Sequence, residues 1–142
     1  MNSESSLQRF LTAQENIYEA VCTELKAGNK TTHWMWFIFP QLEGLGQSVM
    51  AKQYAINSKT EALEYLNHPV LGTRLLECAG LMLAAKGKSA FEILGTPDDL
   101  KFRSCMTLFE AVASDEPVFT QALAKFYGGK PDPRTVELLH RK

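Results

Sequence analysis

Apolar residues recur along most of the chain at every third or fourth position, which is the spacing of an amphipathic helix. The segment from Leu7 to Lys26 carries one apolar stripe, whereas the segment from Pro69 to Lys86 is apolar on two sides. A helix with two apolar sides is predicted to lie at the centre of a bundle, with other helices packed around it. We find no alternating strand pattern and no Asn-Gly or Asp-Gly hairpin turn.

Capping signals divide these segments into separate helices. Ser-x-x-Glu boxes at Ser58 and Ser89, and the Asp-Pro pair at Asp132, predict helix starts. Glycines that follow apolar segments predict helix ends, at Gly28, Gly87, Gly95 and Gly128. The sequence therefore predicts an all-α fold, a compact single-domain bundle over residues 1–142 with about six or seven helices around the central Pro69–Lys86 helix.

The most aromatic part of the chain is KTTHWMWFIFPQLEGLG, residues 30–46, which contains both tryptophans. We favour a short helix that runs into a glycine-rich loop, because no partner strand is visible. The segment is expected to be buried on most sides. It is either core, or the wall of a site that holds a flat ligand, and the sequence leaves both possibilities open.

Polar residues interrupt three of the apolar stripes. Gln14 lies in the middle of the first stripe, Arg74 lies on the main stripe of the central helix, and Lys101 lies on the stripe of the helix that begins near Asp98. A buried amide or cation without a partner costs about 1–3 kcal/mol or more. Each of the three must therefore meet a partner, reach water or line a cavity. No Asp or Glu is found in the middle of a strong apolar stripe, so an obvious general acid with a raised pKa is absent.

Each of these residues also has a purely structural explanation. Gln14 would satisfy the backbone of the Gly44–Gly46 loop, and Lys101 would reach water past the end of its helix. Arg74 would pair with Glu77 or with another carboxylate, and the histidine and the aromatic residues of the 30–46 segment would be structural.

Together the same residues suggest a ligand site, provided that they converge on one cavity. Two cations would take a phosphate or carboxylate, an indole would stack on a planar ring, and an amide would fix the edge of that ring. The hypothesis assigns catalytic roles to His33 and Lys101, with His33 as a proton shuttle. It assigns ligand binding to Gln14, Tyr18, Trp34, Trp36, Gln41, Arg74 and Ser104.

Composition narrows the classes of partner. The net charge of −1 does not suggest nucleic acid, and no apolar run approaches the roughly 18 residues of a membrane span. The N-terminus lacks the pattern of a secretory signal, and the three cysteines have no disulfide or metal spacing, so we expect a cytoplasmic protein with reduced thiols. No cofactor or metal is predicted, and the oligomeric state is left open. Nucleotide-binding and hydrolase motifs of the GxxxxGK[ST], GxGxxG, HExxH and GxSxG types are also missing.

Four segments resemble the bacterial domain-of-unknown-function family eighteen-ten. They are RFLTAQENIY (9–18), HWMWFIFPQLEGLGQS (33–48), YLNHPVLGTRL (65–75) and KFRSCMTLF (101–109). The HWMWFxFPQ pattern is specific, and the resemblance covers nearly the whole chain. It implies a compact, mainly helical domain of unestablished function. The calpastatin label that some members carry does not fit, since calpastatin is long and disordered.

More distantly, the helix order and the segment from Lys101 to Phe126 resemble the NADAR (NAD- and ADP-ribose-associated) helical enzymes, which process ADP-ribose-type N-glycosides. Gln14 corresponds to a Gln of that family, whereas the family's Glu-His pair is not visible here, so no catalytic acid is carried over. The resemblance implies binding or hydrolysis of an anionic, nucleotide-derived small molecule. The alternative is a non-catalytic protein-interaction module, for which Gln14, His33 and Lys101 would lie far apart.

Overall fold

The helical spacing of the sequence is confirmed in a computed structural model, which describes residues 3–141. The described residues form ten helices and no strand: α1 (Ser3–Gln14), α2 (Tyr18–Ala27), α3 (Met35–Ile38), α4 (Val49–Gln53), α5 (Lys59–Asn67), α6 (Leu71–Ala84), α7 (Ala90–Leu94), α8 (Asp98–Val112), α9 (Pro117–Tyr127) and α10 (Pro133–Arg141). The number exceeds the predicted six or seven because several helices are only one or two turns long. None of the described helices is long and apolar enough to cross a membrane.

The predicted continuous helix from Leu7 to Lys26 is wrong, because the chain leaves the helical conformation between α1 and α2. The backbone N–H of Ile17 turns back to the carbonyl of Gln14 over 3.2 Å, and Ile17 itself is not helical, with φ −120° and ψ −9°. The break lets α1 pack against α3 and α5 while α2 packs against α6. Packing against different neighbours therefore outweighs the continuous apolar stripe.

The central position predicted for the Pro69–Lys86 segment is confirmed, with slightly shorter bounds. Helix α6 packs against α2, α3, α5 and α9, and α8 packs against α5, α7, α9 and α10. The two helices α6 and α8 together organise the core. Gly72 allows the tight approach of α6 to the end of α5, since a Cβ atom there would lie 1.8 Å from the carbonyl oxygen of Leu66.

The aromatic segment forms the short helix α3 followed by a glycine-rich loop, as predicted. Trp34, Phe39 and most of the residues between them are buried in the core. An isolated parallel bridge between Leu42 and Ile56 then holds the loop, with the N–H of Ile56 donating to the carbonyl of Gln41 over 2.8 Å. The predicted caps at Ser58 and Ser89 are also confirmed by side-chain bonds to the first turns of α5 and α7.

Glu24 anchors the connection between α2 and α3 from inside the protein. Glu24 is only 9% exposed. Its Oε1 accepts hydrogen bonds from the backbone N–H groups of Thr31 (2.8 Å) and Thr32 (3.1 Å) and from the indole N–H of Trp34 (3.0 Å). The Thr32 hydroxyl donates to Oε2 over 2.6 Å. The expectation that no carboxylate lies on an apolar stripe is wrong, because Glu24 and Glu61 are both buried.

The pKa of Glu24 reflects two opposing effects. Burial alone would raise it, but the hydrogen bonds from Thr32, Thr31 and Trp34 stabilise the ionised carboxylate and lower the pKa from its ordinary 4.5 to about 2. A lowered pKa in the folded state stabilises the fold above the unfolded value, and this stabilisation is lost as the pH falls from 4.5 toward 2. Glu24 is therefore a permanently charged anchor and not a general acid.

We predict that Glu24→Gln destabilises the protein at neutral pH by about 1–3 kcal/mol, because an uncharged amide replaces the carboxylate that accepts the hydrogen bonds of Thr31, Thr32 and Trp34. The variant should also lack the part of the acid destabilisation that comes from protonation of Glu24 as the pH falls from 4.5 toward 2. Urea unfolding of both proteins across this pH range measures the effect. Parallel pH profiles for the two proteins would show that Glu24 does not anchor the connection through its charge.

Candidate functional site

The predicted site residues lie in two separate groups, and two of them belong to neither. The first group lies where α1, α2 and α6 meet and consists of Gln14, Tyr18 and Arg74. The second group lies at the N-terminal end of α8 and consists of Trp36, Gln41, Lys101 and Ser104. The predicted residues therefore do not share a single cavity, since Arg74 lines one hollow and Lys101 lines another.

Gln14 is 0% exposed and has a structural role. Its amide nitrogen donates to the carbonyl of Phe37 over 2.7 Å and to the hydroxyl of Tyr65 over 3.1 Å, and its amide oxygen accepts from Arg74 over 3.3 Å. Both amide hydrogens therefore have partners within the protein. The predicted contact with the Gly44–Gly46 loop is wrong, because the carbonyl of α3 faces Gln14 instead.

Arg74 is half-buried, and its guanidinium carbon lies 4.6 Å from the centre of the Tyr18 ring. The predicted pairing of Arg74 with Glu77 does not form, because Glu77 accepts a hydrogen bond from the Tyr18 hydroxyl. Burial and this bond raise the pKa of Tyr18 far above its usual value, so the phenol stays protonated. The adjoining hollow of about 280 Å³ also contains Glu15. The carboxylate of Glu15 in the lining disfavours an anionic ligand in this hollow.

Trp34 and His33 lie outside both groups. Trp34 is 1% exposed and its indole N–H is bonded to Glu24, so neither face of the ring is available to a ligand and the predicted stacking role is wrong for this residue. His33 is exposed at the surface and lines neither of the two hollows. The structure therefore gives His33 no position from which to pass a proton to a ligand beside Lys101.

The second group lines an open hollow between the start of α8, the glycine-rich loop and the start of α10, which we term the Lys101 cleft. Its volume is about 330 Å³, near the lower limit for small-molecule sites. Its walls are mainly apolar, and Leu100 at the rim is 56% exposed. The residues that line it are Gln41, Leu45, Gly46, Pro97, Leu100, Lys101, Ser104, Asp132 and Arg134.

A shared carboxylate sets the charge of this cleft. Asp98 Oδ2 lies 2.9 Å from the ammonium of Lys30, and Asp98 Oδ1 lies 3.8 Å from the ammonium of Lys101. The side chain of Lys30 is only 7% exposed, whereas that of Lys101 is 25% exposed. Asp98 is therefore committed mainly to the buried lysine. Two lysines against one aspartate leave one positive charge, and it faces the cleft at Lys101.

Each of the two lysines also lies over one tryptophan of the aromatic segment. The ammonium of Lys30 is 5.0 Å from the centre of the Trp34 ring, and that of Lys101 is 5.5 Å from the centre of the Trp36 ring. Cation–π attraction of this kind holds an ammonium without neutralising it. Trp36 is half-buried and does not line the cleft itself, but it supports the ammonium of Lys101, which does.

The opposite wall is formed by the start of α10. Asp132 caps this helix, since its Oδ2 accepts from the backbone N–H of Thr135 (3.1 Å), the Thr135 hydroxyl (2.5 Å) and the hydroxyl of Ser104 (3.0 Å). Arg134 is exposed and makes a long bond of 3.4 Å to the carbonyl of Gly44, which leaves most of its five donors available. Asp132 and Arg134 offset each other in charge.

Three charged residues of this site, Lys30, Asp98 and Arg134, were not predicted from the sequence. Helix signals did identify Asp132 as a cap, but nothing in the local pattern indicates that α10 folds back against the start of α8. No group of three or more His, Cys, Asp or Glu side chains that would suit a metal ion occurs in residues 3–141 as described. The side chains of the cleft suit an anion with an apolar or planar part.

We predict that Gln14→Ala lowers the free energy of unfolding by about 1–3 kcal/mol, because the carbonyl of Phe37 and the hydroxyl of Tyr65 lose a buried partner. Gln8→Ala, on the exposed side of the same helix, is the matched control and should change stability by less than about 0.5 kcal/mol. Chemical denaturation measures both. Equal stability of the two variants would contradict the structural role of Gln14.

Comparison with known proteins identifies relatives over almost the whole chain. The family described as "Protein of unknown function (DUF1810)" matches residues 4–139. The chain is also 52% identical to the protein in the crystal structure of the conserved hypothetical protein Rv1873 from Mycobacterium tuberculosis, over 94% of this chain and 96% of that one, with a TM-score of 0.93. No curated protein gives a significant match.

The family match confirms the resemblance seen in the HWMWFxFPQ pattern and in the three other segments. The fold of the M. tuberculosis protein is the same all-helical bundle, as its TM-score shows. These matches do not bear on the NADAR resemblance, which stays a prediction. The chain belongs to the DUF1810 family of proteins of unknown function.

Proposed function

We propose that the protein binds a small anionic molecule with a planar or apolar part, and that the ligand occupies the Lys101 cleft. Nucleotide-derived compounds of the ADP-ribose type are the leading class, because they combine phosphate groups with a flat base. The single observation that carries this proposal is the charge of Lys101. Its only carboxylate partner within 4 Å among the described residues is Asp98, which is held more closely by Lys30.

The cleft offers complementary contacts to both parts of such a ligand. Lys101 on α8 and Arg134 on α10 both line the cleft, and both side chains suit phosphate or carboxylate oxygens. Leu45, Pro97 and Leu100 provide apolar wall for the less polar part. A volume of about 330 Å³ accommodates only part of a dinucleotide-sized molecule, so the remainder would extend over the surface.

Three residues of the original hypothesis contribute to ligand binding in this proposal. Lys101 is the anion-binding cation, and the amide of Gln41 fixes the orientation of the planar group. Trp36 positions the ammonium of Lys101, which lies over its ring. Ser104 has a positioning role, because its hydroxyl bonds Asp132 and the carbonyl of Leu100 over 3.2 Å. Gln14, Tyr18 and Arg74 belong to the other hollow and do not contact this ligand.

The geometry favours binding over hydrolysis. Enzymes that cleave glycosidic bonds commonly place a carboxylic acid or carboxylate at the reacting carbon. Asp132 is the carboxylate that lines the cleft among the described residues, and its Oδ2 is engaged by Ser104 and Thr135. His33 does not line the cleft. The proposed role is therefore that of a binding protein, with Lys101 as a ligand contact and not as a catalyst.

A protein-interaction module is the second candidate, and one observation favours it. The separation of Gln14 and His33 from Lys101 is what that alternative predicts. A groove between α5, α6 and the end of α8 has an apolar floor that includes Leu63, which is 43% exposed, and it has Asp115 and Glu116 at its end. Small anions would then leave the thermal stability of the protein unchanged.

We predict that ADP-ribose or a related nucleoside diphosphate raises the melting temperature of the wild type, with about 2.7 kcal/mol of stabilisation at a hundredfold excess over Kd. Lys101→Gln should weaken binding about tenfold to a hundredfold, as expected for a lost charge-assisted hydrogen bond. Lys26→Gln removes an equal charge from the exposed last turn of α2 and should leave Kd within about twofold. Isothermal titration calorimetry measures all three proteins.

Titrations with inorganic phosphate, pyrophosphate and NAD separate two contributions to the binding free energy. Phosphate and pyrophosphate report the contribution of the anionic group alone, and NAD adds that of the planar rings. Added salt should weaken binding, because the cleft is open to solvent and its charges are screened. The proposal fails if millimolar concentrations of every one of these compounds leave the melting temperature unchanged. It fails equally if Lys101→Gln and Lys26→Gln have the same affinity as the wild type.

A further inference from the structure

Two cysteines on adjacent helices face each other across the contact between α2 and α6. Tyr18 and Cys22 are four residues apart on α2, so both project from the same side of that helix. Arg74 and Cys78 have the same spacing on α6. Arg74 lies over the Tyr18 ring, and Glu77, one turn further along α6, accepts hydrogen bonds from both Tyr18 and Cys22, so the next turns of the two helices lie side by side.

A chain of hydrogen bonds connects the two thiols through one carboxylate. The thiol of Cys22 donates to Glu77 Oε1 over 3.8 Å, and the hydroxyl of Tyr18 donates to the same oxygen. The thiol of Cys78 donates to the Tyr18 hydroxyl over 3.8 Å. The two thiols are thus separated by only two hydrogen-bonded side chains, those of Glu77 and Tyr18. Neither cysteine is in a disulfide in this structure.

We propose that Cys22 and Cys78 form an oxidisable pair, which a peroxide converts into a disulfide that joins α2 to α6. This inference is independent of the Lys101 cleft, because neither cysteine lines it. Tyr18 and Glu77 do not contact the ligand proposed for the Lys101 cleft, and the disulfide reaction assigns them a separate role.

The steps follow from the burial of the two thiols. Cys22 is half-buried and open to a small oxidant, whereas Cys78 is 0% exposed. Burial raises the pKa of the Cys78 thiol to about 12, so Cys78 is a poor first target for peroxide. The sulfur of Cys22 therefore attacks a peroxide oxygen and becomes a sulfenic acid, while its proton passes through the Glu77 carboxylate to the departing oxygen.

The second step joins the two helices. The sulfur of Cys78 attacks the sulfur of Cys22, the S–O bond of the sulfenic acid breaks, and the Cys78 proton passes through the Tyr18 hydroxyl and Glu77 to the leaving oxygen. With hydrogen peroxide, the balance is two thiols and one peroxide to one disulfide and two waters. The thiols lose two electrons and the peroxide gains them.

Cys105 is the internal reference for this reaction. It is 0% exposed in the core, on α8, and burial raises the pKa of its thiol well above the usual value. Neither the Tyr18 hydroxyl nor the Glu77 carboxylate hydrogen-bonds to it. It should therefore keep its thiol while the other two cysteines lose theirs.

To test this, the folded wild-type protein is treated with hydrogen peroxide and the excess peroxide is removed. The remaining thiols are then alkylated in denaturant, and the protein is digested with trypsin without reduction. Mass spectrometry should find peptide 10–26 linked to peptide 75–86, with alkylation confined to Cys105. The oxidised protein should melt at a higher temperature than the reduced one, and a dithiol reductant should reverse the shift. Cys105→Ala should still give the linked peptides.

Cys22→Ser should keep Cys78 fully alkylated after the same treatment. The peptide map of the wild type decides the matter even if a variant fails to fold. The proposal is overturned if Cys22 proceeds to sulfinic or sulfonic acid, or links to a second molecule, while Cys78 remains alkylated. It is overturned as well if all three thiols survive at a peroxide concentration that fully oxidises free glutathione.

Discussion

The requirement that buried polar atoms find partners determines how the aromatic segment lies in this protein. The indole N–H of Trp34 and the carbonyl of Phe37 are both inside, where an unpaired polar group would cost about 1–3 kcal/mol. Glu24 on α2 satisfies the first group and Gln14 at the end of α1 satisfies the second. These two bonds hold α3 at both ends. They turn most of its aromatic side chains into the core and leave Trp36 beside Lys101.

Two kinds of inward-facing polar residue therefore coexist in the fold. Gln14 and Glu24 are satisfied by the protein itself and act as structural anchors. Lys101 lies on an apolar stripe as well, but its nearest carboxylate is shared with a more deeply buried lysine, and its ammonium lines an open cleft. An inward-facing polar residue is a candidate ligand contact when two conditions hold. Its charge or hydrogen-bonding groups are not fully paired within the protein, and a solvent-accessible hollow lies next to it.

The sequence predicted what depends on local pattern. Apolar spacing, the caps at Ser58 and Ser89, and the burial of Gln14 were all correct, because each is set within one helix or its first turn. The break before α2, the role of Glu24 and the separation of Gln14 from Lys101 were not predicted. Helical spacing gives the direction of a side chain on its own helix, but it does not give the helix that faces it.

The two tryptophan indole N–H protons report whether Glu24 and Gln14 hold the aromatic segment from within. Nuclear magnetic resonance in deuterated water can follow both. We expect the Trp34 proton to be protected from exchange to the level of the slowest core amides, and we expect Glu24→Gln to shift its resonance while the Trp36 resonance stays in place. Fast exchange of the Trp34 proton, or an unchanged resonance in the variant, would contradict this expectation.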